Sequence, residues 1–132
     1  MITELDAPNL TYIGDYAFAD CTALQAVTGS LSSVGKGAFS NCGELGLVRL
    51  SELVTEIGEN AFLNCQSLPS ITIPNSVASI GANAFNGCTS LVSIDIPDSV
   101  NVIGDNAFNC CNSLISVSVG QGLDEFGTDV FL

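Results

Sequence analysis

This 132-residue chain contains no histidine, no tryptophan and only two basic residues, Lys36 and Arg49. Its 14 acidic residues give a net charge of −12, so the surface repels phosphate backbones and anionic lipid head groups. We therefore expect no nucleic-acid partner and no electrostatic attachment to a membrane. The same charge favours solubility in a chain that is 47% hydrophobic.

Two further absences concern membranes and export. No run approaches the roughly 18 consecutive apolar residues that a membrane-spanning helix needs, so we expect no membrane insertion. The first residues, Met-Ile-Thr-Glu-Leu-Asp, lack the basic and apolar regions of a secretory signal peptide. This start is compatible with a cytoplasmic protein, a mature secreted form or a fragment of a longer protein.

Residues for catalysis or cofactor binding are also scarce. A serine nucleophile needs a general base, and because histidine is absent Lys36 is the only lysine that could serve. The chain has no phosphate-binding Gly-x-x-x-x-Gly-Lys motif, no dinucleotide fingerprint and no Cys-x-x-Cys pair for zinc. The acidic residues do not recur at one repeat position, which indicates a solvated face rather than paired carboxylates or calcium ligands. We predict a protein that is not an enzyme and has no metal site or cofactor.

What the sequence does contain is a repeat of about 23 residues. An apolar residue followed by glycine recurs with spacings of 21 residues once and 23 residues four times, and a small residue and a phenylalanine follow each pair. The pairs are Ile13-Gly14, Val34-Gly35, Ile57-Gly58, Ile80-Gly81, Ile103-Gly104 and Phe126-Gly127. Cysteine at 21, 42, 65, 88 and 111 and leucine at 24, 45, 68, 91 and 114 keep the same register.

Each repeat also contains a segment that predicts one short β-strand. The stretches S-I-T-I-P at 70–74, S-I-D-I-P at 93–97 and S-V-S-V-G at 116–120 alternate apolar and polar residues and end in proline or glycine. The glycine after each isoleucine predicts a backbone conformation that a side chain would forbid, and the stretch Ala-Asn-Ala-Phe predicts a short helical or 3-10 turn. Because so small a unit cannot cover its own apolar residues, we predict a solenoid whose successive strands pair in parallel at about 4.8 Å.

The repeat resembles the BspA-like, Treponema-type leucine-rich repeat. Residues 80–100 read I-G-A-N-A-F-N-G-C-T-S-L-V-S-I-D-I-P-D-S-V and match the pattern I-G-x-x-A-F-x-x-C-x-x-L-x-x-I-x-I-P-x-S-V at every fixed position. The resemblance implies a leucine-rich-repeat solenoid with one short parallel strand per 23-residue coil and short helical or 3-10 turns opposite. We expect residues 1–132 to form a single domain of about five coils, with partial repeats at both ends and a first repeat that is two residues short at 26–34.

The resemblance also implies a function. Such repeats are commonly found in non-catalytic modules of cell-surface proteins that bind host or matrix proteins, so we expect a protein-interaction or adhesion module at the cell surface or secreted. The side chains that point outward between the inward isoleucines would form its binding face: Thr28, Arg49, Ser70, Thr72, Ser93, Asp95, Ser116 and Ser118. Such side chains equally suit a strand that only has to stay soluble.

The alternative function is structural. Both ends read as half-repeats without polar caps, so the C-terminal half-coil of one molecule could meet the N-terminal half-coil of the next. Such head-to-tail contacts build rings or filaments. The partner would then be another copy of the chain, in an end-to-end homo-oligomer.

Five of the six cysteines occupy one column of the repeat. Neighbours about 5 Å apart satisfy the Cα distance of a disulfide, but parallel Cβ directions make its torsion angle hard to reach. We predict a structural ladder of buried thiols that donate weakly to backbone carbonyls, with disulfides between coils as the alternative. The ladder comprises Cys21, Cys42, Cys65, Cys88 and Cys111. Cys110 lies outside this column and is expected to point outward, either as the most reactive thiol or as a cysteine that is merely tolerated there.

Overall fold

The computed structural model describes all 132 residues and contains eleven short β-strands and no helix. The strands are β1 (Glu4–Leu5), β2 (Tyr12–Ile13), β3 (Ala26–Leu31), β4 (Ser33–Val34), β5 (Leu47–Leu50), β6 (Glu56–Ile57), β7 (Ser79–Ile80), β8 (Ser93–Ile96), β9 (Val102–Ile103), β10 (Ser116–Val119) and β11 (Glu125–Phe126). Every strand pair is parallel. The chain is a parallel β-solenoid of about five turns, which confirms the predicted architecture.

A single core runs through the stack of coils. It contains 31 buried residues, among them four fully buried leucines of the repeat, the inward strand residues and the phenylalanines. The rings from Phe18 to Phe131 stack with centroids 5.2–5.7 Å apart and interplanar angles of 12° or less. This spacing is close to the roughly 4.8 Å between paired strands, so equivalent side chains of successive coils lie on top of one another.

The longer strands line one side of the solenoid, which we call the strand face. It consists of β1, β3, β5, residues 70–73, β8 and β10, and its strands form two separate sheets in the orders β1-β3-β5 and β8-β10. The prediction of one strand per repeat is therefore wrong at residues 70–73, which pair with neither neighbour. Their backbone N–H groups make no backbone hydrogen bond.

Two prolines account for the missing pairing with β5. In the last coil, the N–H of Ile115 donates to the Val92 carbonyl (3.0 Å) and that of Gly120 to the Ile96 carbonyl (2.7 Å). The equivalent positions in the unpaired coil are Pro69 and Pro74, and proline has no N–H to donate. No backbone hydrogen bond therefore links either end of this segment to β5.

The two-residue strands form a second ladder, and it too is interrupted. Its strands pair in the orders β2-β4 and β11-β9-β7-β6, so β4 and β6 are neighbours in the stack without pairing. The coil that ends in β4 is the short repeat. Its strand β3 has a register shift relative to β5 between Ala26 and Ser30. A single residue, Ser32, joins β3 to β4, whereas residues 51–55 join β5 to β6 in the next coil. The shortened connection changes the position of β4 relative to the coil that follows.

The side opposite the strand face consists of consecutive turns, so the predicted helical or 3-10 turn is wrong. In one coil the N–H of Ala84 donates to the Gly81 carbonyl (3.2 Å), but the next N–H, that of Phe85, donates to the Ala107 carbonyl of the following coil (2.8 Å). Two residues per coil have positive φ, mostly Asn, Asp or Gly, which tolerate it. These residues are Tyr16, Gly37, Asn60, Asn83, Asn106 and Asp129 in one column and Asp20, Asn41, Asn64, Gly87 and Cys110 in the other.

From Gly35 onward, the glycine after each repeat apolar residue is needed for a reason that differs from the predicted one. None of the six glycines at this repeat position has a positive φ, so the expectation of a special backbone conformation is wrong. A Cβ on Gly81 would lie 2.6 Å from the Glu59 nitrogen, and one on Gly35 would lie 2.5 Å from the Asp15 nitrogen. The glycines let the backbones of adjacent coils approach closely.

Candidate interaction surface

Seven of the eight predicted binding residues are exposed on the strand face: Arg49, Ser70, Thr72, Ser93, Asp95, Ser116 and Ser118. Alternation along each strand places them outward because the residues between them belong to the inner face. Thr28 differs. It is half-buried, and its hydroxyl donates to Asp6 Oδ1 (2.9 Å) and Leu5 O (3.4 Å), so it ties its coil to the preceding one.

The unpaired segment divides the strand face into two shallow grooves. The first, of about 280 Å³, is lined by Ser30, Val48, Arg49, Leu50 and Thr72. The second, of about 180 Å³, is lined by residues 70–73 together with Ser93 and Asp95. Arg49 forms no ion pair and is the only cation on this face. The sequence signal for these grooves is the pair of prolines around residues 70–73, Pro69 and Pro74.

The cysteine column is a set of free thiols inside the stack. Four of them donate to the carbonyl of a phenylalanine in the preceding coil at 3.0–3.2 Å: Cys42, Cys65, Cys88 and Cys111. Burial raises the pKa of Cys42 and of Cys111 to about 11, and it raises the pKa of Cys65 and of Cys88 further. These thiols therefore stay protonated at neutral pH, which suits packing and not nucleophilic chemistry.

Two cysteines behave differently from the inner four. Cys21 is half-buried at the start of the column. Cys110 is exposed, and its thiol donates to Asn109 Oδ1 at 3.1 Å. It has a positive φ, occupies the position that Gly87 holds in the preceding coil, and comes one residue before the ladder position Cys111.

A third groove, the largest at about 490 Å³, opens on the second ladder where β4 and β6 do not pair. Its lining includes Tyr12, Asp15, Ser33, Lys36, Glu56, Glu59 and Ser79. Lys36 Nζ lies 3.0 Å from Glu59 Oε2 in the one ion pair of the protein, and this hydrogen bond is the main cause of a raised Lys36 pKa. The only sequence signal for this groove is the two-residue deletion, which marks the repeat that forms it.

The last coil leaves part of its inner side uncovered. Val117 and Val119 are 39% and 44% exposed, and Phe126 and Phe131 are 52% and 40% exposed. In inner coils the equivalent residues are buried, because a following coil covers them.

The structure has no apolar helix of membrane-spanning length.

The repeat and its geometry correspond to one protein family. The family described as BspA type Leucine rich repeat region matches in six copies, over residues 1–68 and 32–132. The chain belongs to the BspA-type leucine-rich-repeat family. This confirms the resemblance predicted from the repeat pattern.

Solved structures of related bacterial proteins share the fold. A leucine rich cell surface protein from Faecalibacterium prausnitzii A2-165 is 36% identical over 89% of this chain, with a TM-score of 0.82. A leucine-rich repeat protein from Bacteroides ovatus ATCC 8483 is 32% identical over 97% of this chain, with a TM-score of 0.91. The Treponema pallidum leucine rich repeat protein is 28% identical over 98% of this chain, with a TM-score of 0.76.

These relatives differ from this chain in length. The chain spans about a third of the first two structures, 32% and 36%, and 75% of the third. No protein of curated function matches it significantly. The comparisons therefore identify the family, and they describe one homologue as a cell-surface protein.

Proposed function

We propose that this chain is a non-catalytic protein-interaction module of a cell-surface leucine-rich-repeat protein, and that it acts in adhesion to a host or matrix protein. The observation that carries the proposal is the exposed row of polar side chains along the strand face. These side chains lie on four successive coils, so at about 4.8 Å per coil the row is about 14 Å long, enough to contact an extended segment of a partner. The cell-surface description of the Faecalibacterium prausnitzii homologue supports the location.

Arg49 is the residue on this face best suited to anchor a partner. Arginine is enriched at binding hot spots, and Arg49 has no ion pair within the protein. It lines the 280 Å³ groove beside Thr72, so a partner side chain that enters the groove would meet the guanidinium. The face has no aromatic side chain of its own, so the partner would supply the large apolar contacts.

A catalytic role finds no support in the arrangement of titratable groups. The buried thiols have raised pKa values, as described above, and the carboxylates of the strand face do not converge on a nucleophile. The exposed hydroxyls have no histidine beside them because the chain contains none. We therefore infer binding and not turnover as the activity of this surface.

The test is a binding assay with a charge introduced on the strand face. A panel of purified extracellular-matrix glycoproteins is titrated against the wild-type protein and the Thr72→Glu and Ser93→Glu variants by biolayer interferometry. We expect at least one glycoprotein to bind, and each variant to weaken that binding about tenfold or more, since a carboxylate must then be buried at the contact.

The matched control places the same charge on the turn side. Gln66 is exposed there, so Gln66→Glu should leave the affinity unchanged. The proposal fails if no matrix glycoprotein binds, or if Gln66→Glu weakens binding while the two strand-face variants do not.

End-to-end self-assembly stays a second proposal. What supports it is the exposed apolar side of the last coil, which carries Val117, Val119, Phe126 and Phe131 and where β10 and β11 each have one free edge. Unpaired strand edges with exposed apolar residues promote association with another chain.

A further inference from the structure

Several departures from the repeat meet at one place, the groove on the second ladder. The chain has a single lysine, a single ion pair and two tyrosines. Lys36, its partner Glu59 and one of the tyrosines, Tyr12, all line this groove, beside the strand pair that the shortened repeat fails to form. In a protein built from copies of one unit, features that the unit does not require and that lie together indicate a site.

Backbone hydrogen bonds show how the groove opens. At four of the five interfaces between successive coils, the N–H of the repeat glycine donates to the preceding coil at 2.7–2.8 Å: Gly35 to Ile13, Gly81 to Ile57, Gly104 to Ile80 and Gly127 to Ile103. At the fifth, the Gly58 N–H makes no backbone hydrogen bond. A Cβ on Gly58 would lie 3.2 Å from Lys36 N, a wider separation than the 2.6 Å found at Gly81. The two coils are therefore spread apart here.

The opened groove combines hydrogen-bond donors and acceptors. Donors are the Gly58 N–H, the Lys36 ammonium and the hydroxyls of Tyr12, Ser33 and Ser79, while carboxylates supply the acceptors. Asp15 Oδ1 already accepts from the Lys36 N–H (2.8 Å), and Glu59 is paired with the Lys36 ammonium. Glu56 has no ion pair and remains available. Tyr12 is 65% exposed, so its ring offers an apolar surface at the rim.

We propose that this groove binds a neutral sugar unit of a glycan. A volume of about 490 Å³ lies within the usual range for small-molecule sites. Sugar hydroxyls both donate and accept hydrogen bonds, which matches the mixed lining, and the C–H face of a sugar ring packs against an aromatic side chain such as that of Tyr12. The free Glu56 carboxylate accepts from two neighbouring hydroxyls.

Charged ligands fit the lining less well. An anion would meet the carboxylates of Asp15, Glu56 and Glu59 inside a protein of net charge −12. A cation such as an arginine side chain would meet the Lys36 ammonium, which lines the same groove. A neutral polyol avoids both repulsions. This site lies on the second ladder, away from the strand face, so it is independent of the protein partner proposed above.

The experiment is a titration followed by amide NMR spectra of the ¹⁵N-labelled protein. D-glucose, D-galactose, D-mannose and N-acetyl-D-glucosamine are added separately, each into the millimolar range. We expect at least one sugar to shift the amide signals of Gly35, Gly58 and Gly81 in a saturating manner. Tyr12→Ala and Glu56→Gln should each weaken that binding about tenfold, the effect of losing a stacking surface or a charged hydrogen-bond acceptor.

The matched control is Glu125→Gln. Glu125 occupies the same register as Glu56 in the second ladder, through the pairs Glu56–Ser79, Ser79–Val102 and Val102–Glu125. Its strand β11 pairs with β9 of the coil before it, whereas β6 does not pair with β4, so the groove opens at Glu56 and not at Glu125. This variant should bind sugar with unchanged affinity. Thermal unfolding of all three variants checks that the fold is retained, since the three altered side chains are exposed.

Three results would overturn the proposal. The first is the absence of saturating shifts at the three glycines with every sugar. The second is sugar binding that neither Tyr12→Ala nor Glu56→Gln weakens. The third is that L-argininamide or sodium phosphate shifts these glycines while no sugar does, which would assign the groove to a charged ligand.

Discussion

Cys65 and Cys88 illustrate how a single residue is accommodated inside this stack. Both are fully buried, and each thiol donates to a phenylalanine carbonyl one coil earlier at 3.2 Å. The sulfur packs as a small apolar group while the S–H satisfies a backbone acceptor. Burial opposes the thiolate, so the pKa of both residues lies far above the ordinary value of 9.0.

These thiols predict a loss of stability at alkaline pH. Above about pH 9 the unfolded chain releases the two protons while the folded chain keeps them, so the free energy of unfolding falls as pH rises. At about pH 10 each of the two residues should lower it by about 1.4 kcal/mol. Urea unfolding in reductant at about pH 8 and about pH 10 measures the change. The Cys88→Ala variant should be less stable at the lower pH but should lose about 1.4 kcal/mol less over the interval.

The control for this prediction is Cys110→Ala, because Cys110 is exposed and outside the ladder. It should retain the pH dependence of the wild-type protein. An equal decline in Cys88→Ala and wild type would show that the buried thiols do not cause the alkaline loss of stability.

At the scale of elements, the strand face is interrupted by the absence of two N–H groups. Pro69 and Pro74 flank residues 70–73, and the equivalent positions Ile115 and Gly120 in the last coil donate to the coil before them. On the other side, β8 ends at Pro97 and pairs with β10 but not with residues 70–73, although the Val92 N–H donates to the Pro69 carbonyl (3.2 Å). Residues 70–73 therefore lack pairing on the β5 side, where a proline stands at both ends of the segment, and on the β8 side, where β8 itself ends at a proline.

We predict that residues 70–73 exchange their amide hydrogens faster than the paired amides between β8 and β10. The double variant Pro69→Val, Pro74→Ser restores both N–H groups and should slow exchange at Ser70 and Thr72. Its global stability should change little, because two effects oppose each other. Each new hydrogen bond stabilises the folded state by about 0.5–1.5 kcal/mol, whereas loss of each proline raises the conformational entropy of the unfolded chain and so destabilises the protein by about 0.4–1 kcal/mol. Hydrogen-exchange NMR gives the residue-level rates.

Pro8→Ala serves as the control, since Pro8 precedes the first full repeat and lies far from the gap. It should leave exchange at residues 70–73 unchanged. Amides at 70–73 that are as protected in the wild-type protein as those between β8 and β10 would contradict the explanation.

At the scale of the whole molecule, stability depends on contacts between neighbouring coils. Each coil buries its columns only against the coil before and after it, so the inner coils are covered on both sides and the last coil on one. The exposed valines of β10 and the exposed Phe126 and Phe131 are the consequence. They are the surface on which a second copy would stack.

For the self-assembly proposal, we expect the mass measured by light scattering to rise above 13.6 kDa as the concentration increases. The rise should persist in reductant and should be suppressed by Val119→Glu, which places a charge at the exposed end. Ser118→Glu is the control because Ser118 points to the strand face of the same strand. A mass that stays near 13.6 kDa at all concentrations excludes stacking, and a rise that reductant abolishes points to disulfides through Cys110 instead.

The sequence alone determined the repeat, the family and the columns of the core. Because Leu, Phe and Cys recur in one register, stacking of equivalent coils is the only arrangement that buries them all, and the outward positions of the strands follow from alternation. Arg49, Ser70 and Thr72 were located correctly as exposed residues in this way. Thr28 was not placed fully outward, because its half-burial depends on Asp6 of the preceding coil.

Only the tertiary structure decided where successive coils separate. The gap at residues 70–73 and the groove between β4 and β6 depend on which N–H group faces which carbonyl across two coils that are not identical. The role of the repeat glycines could not be predicted from the sequence for the same reason, since the backbone of the neighbouring coil is what excludes a Cβ. A repeat pattern describes what the coils share, whereas both candidate binding sites lie where adjacent coils differ.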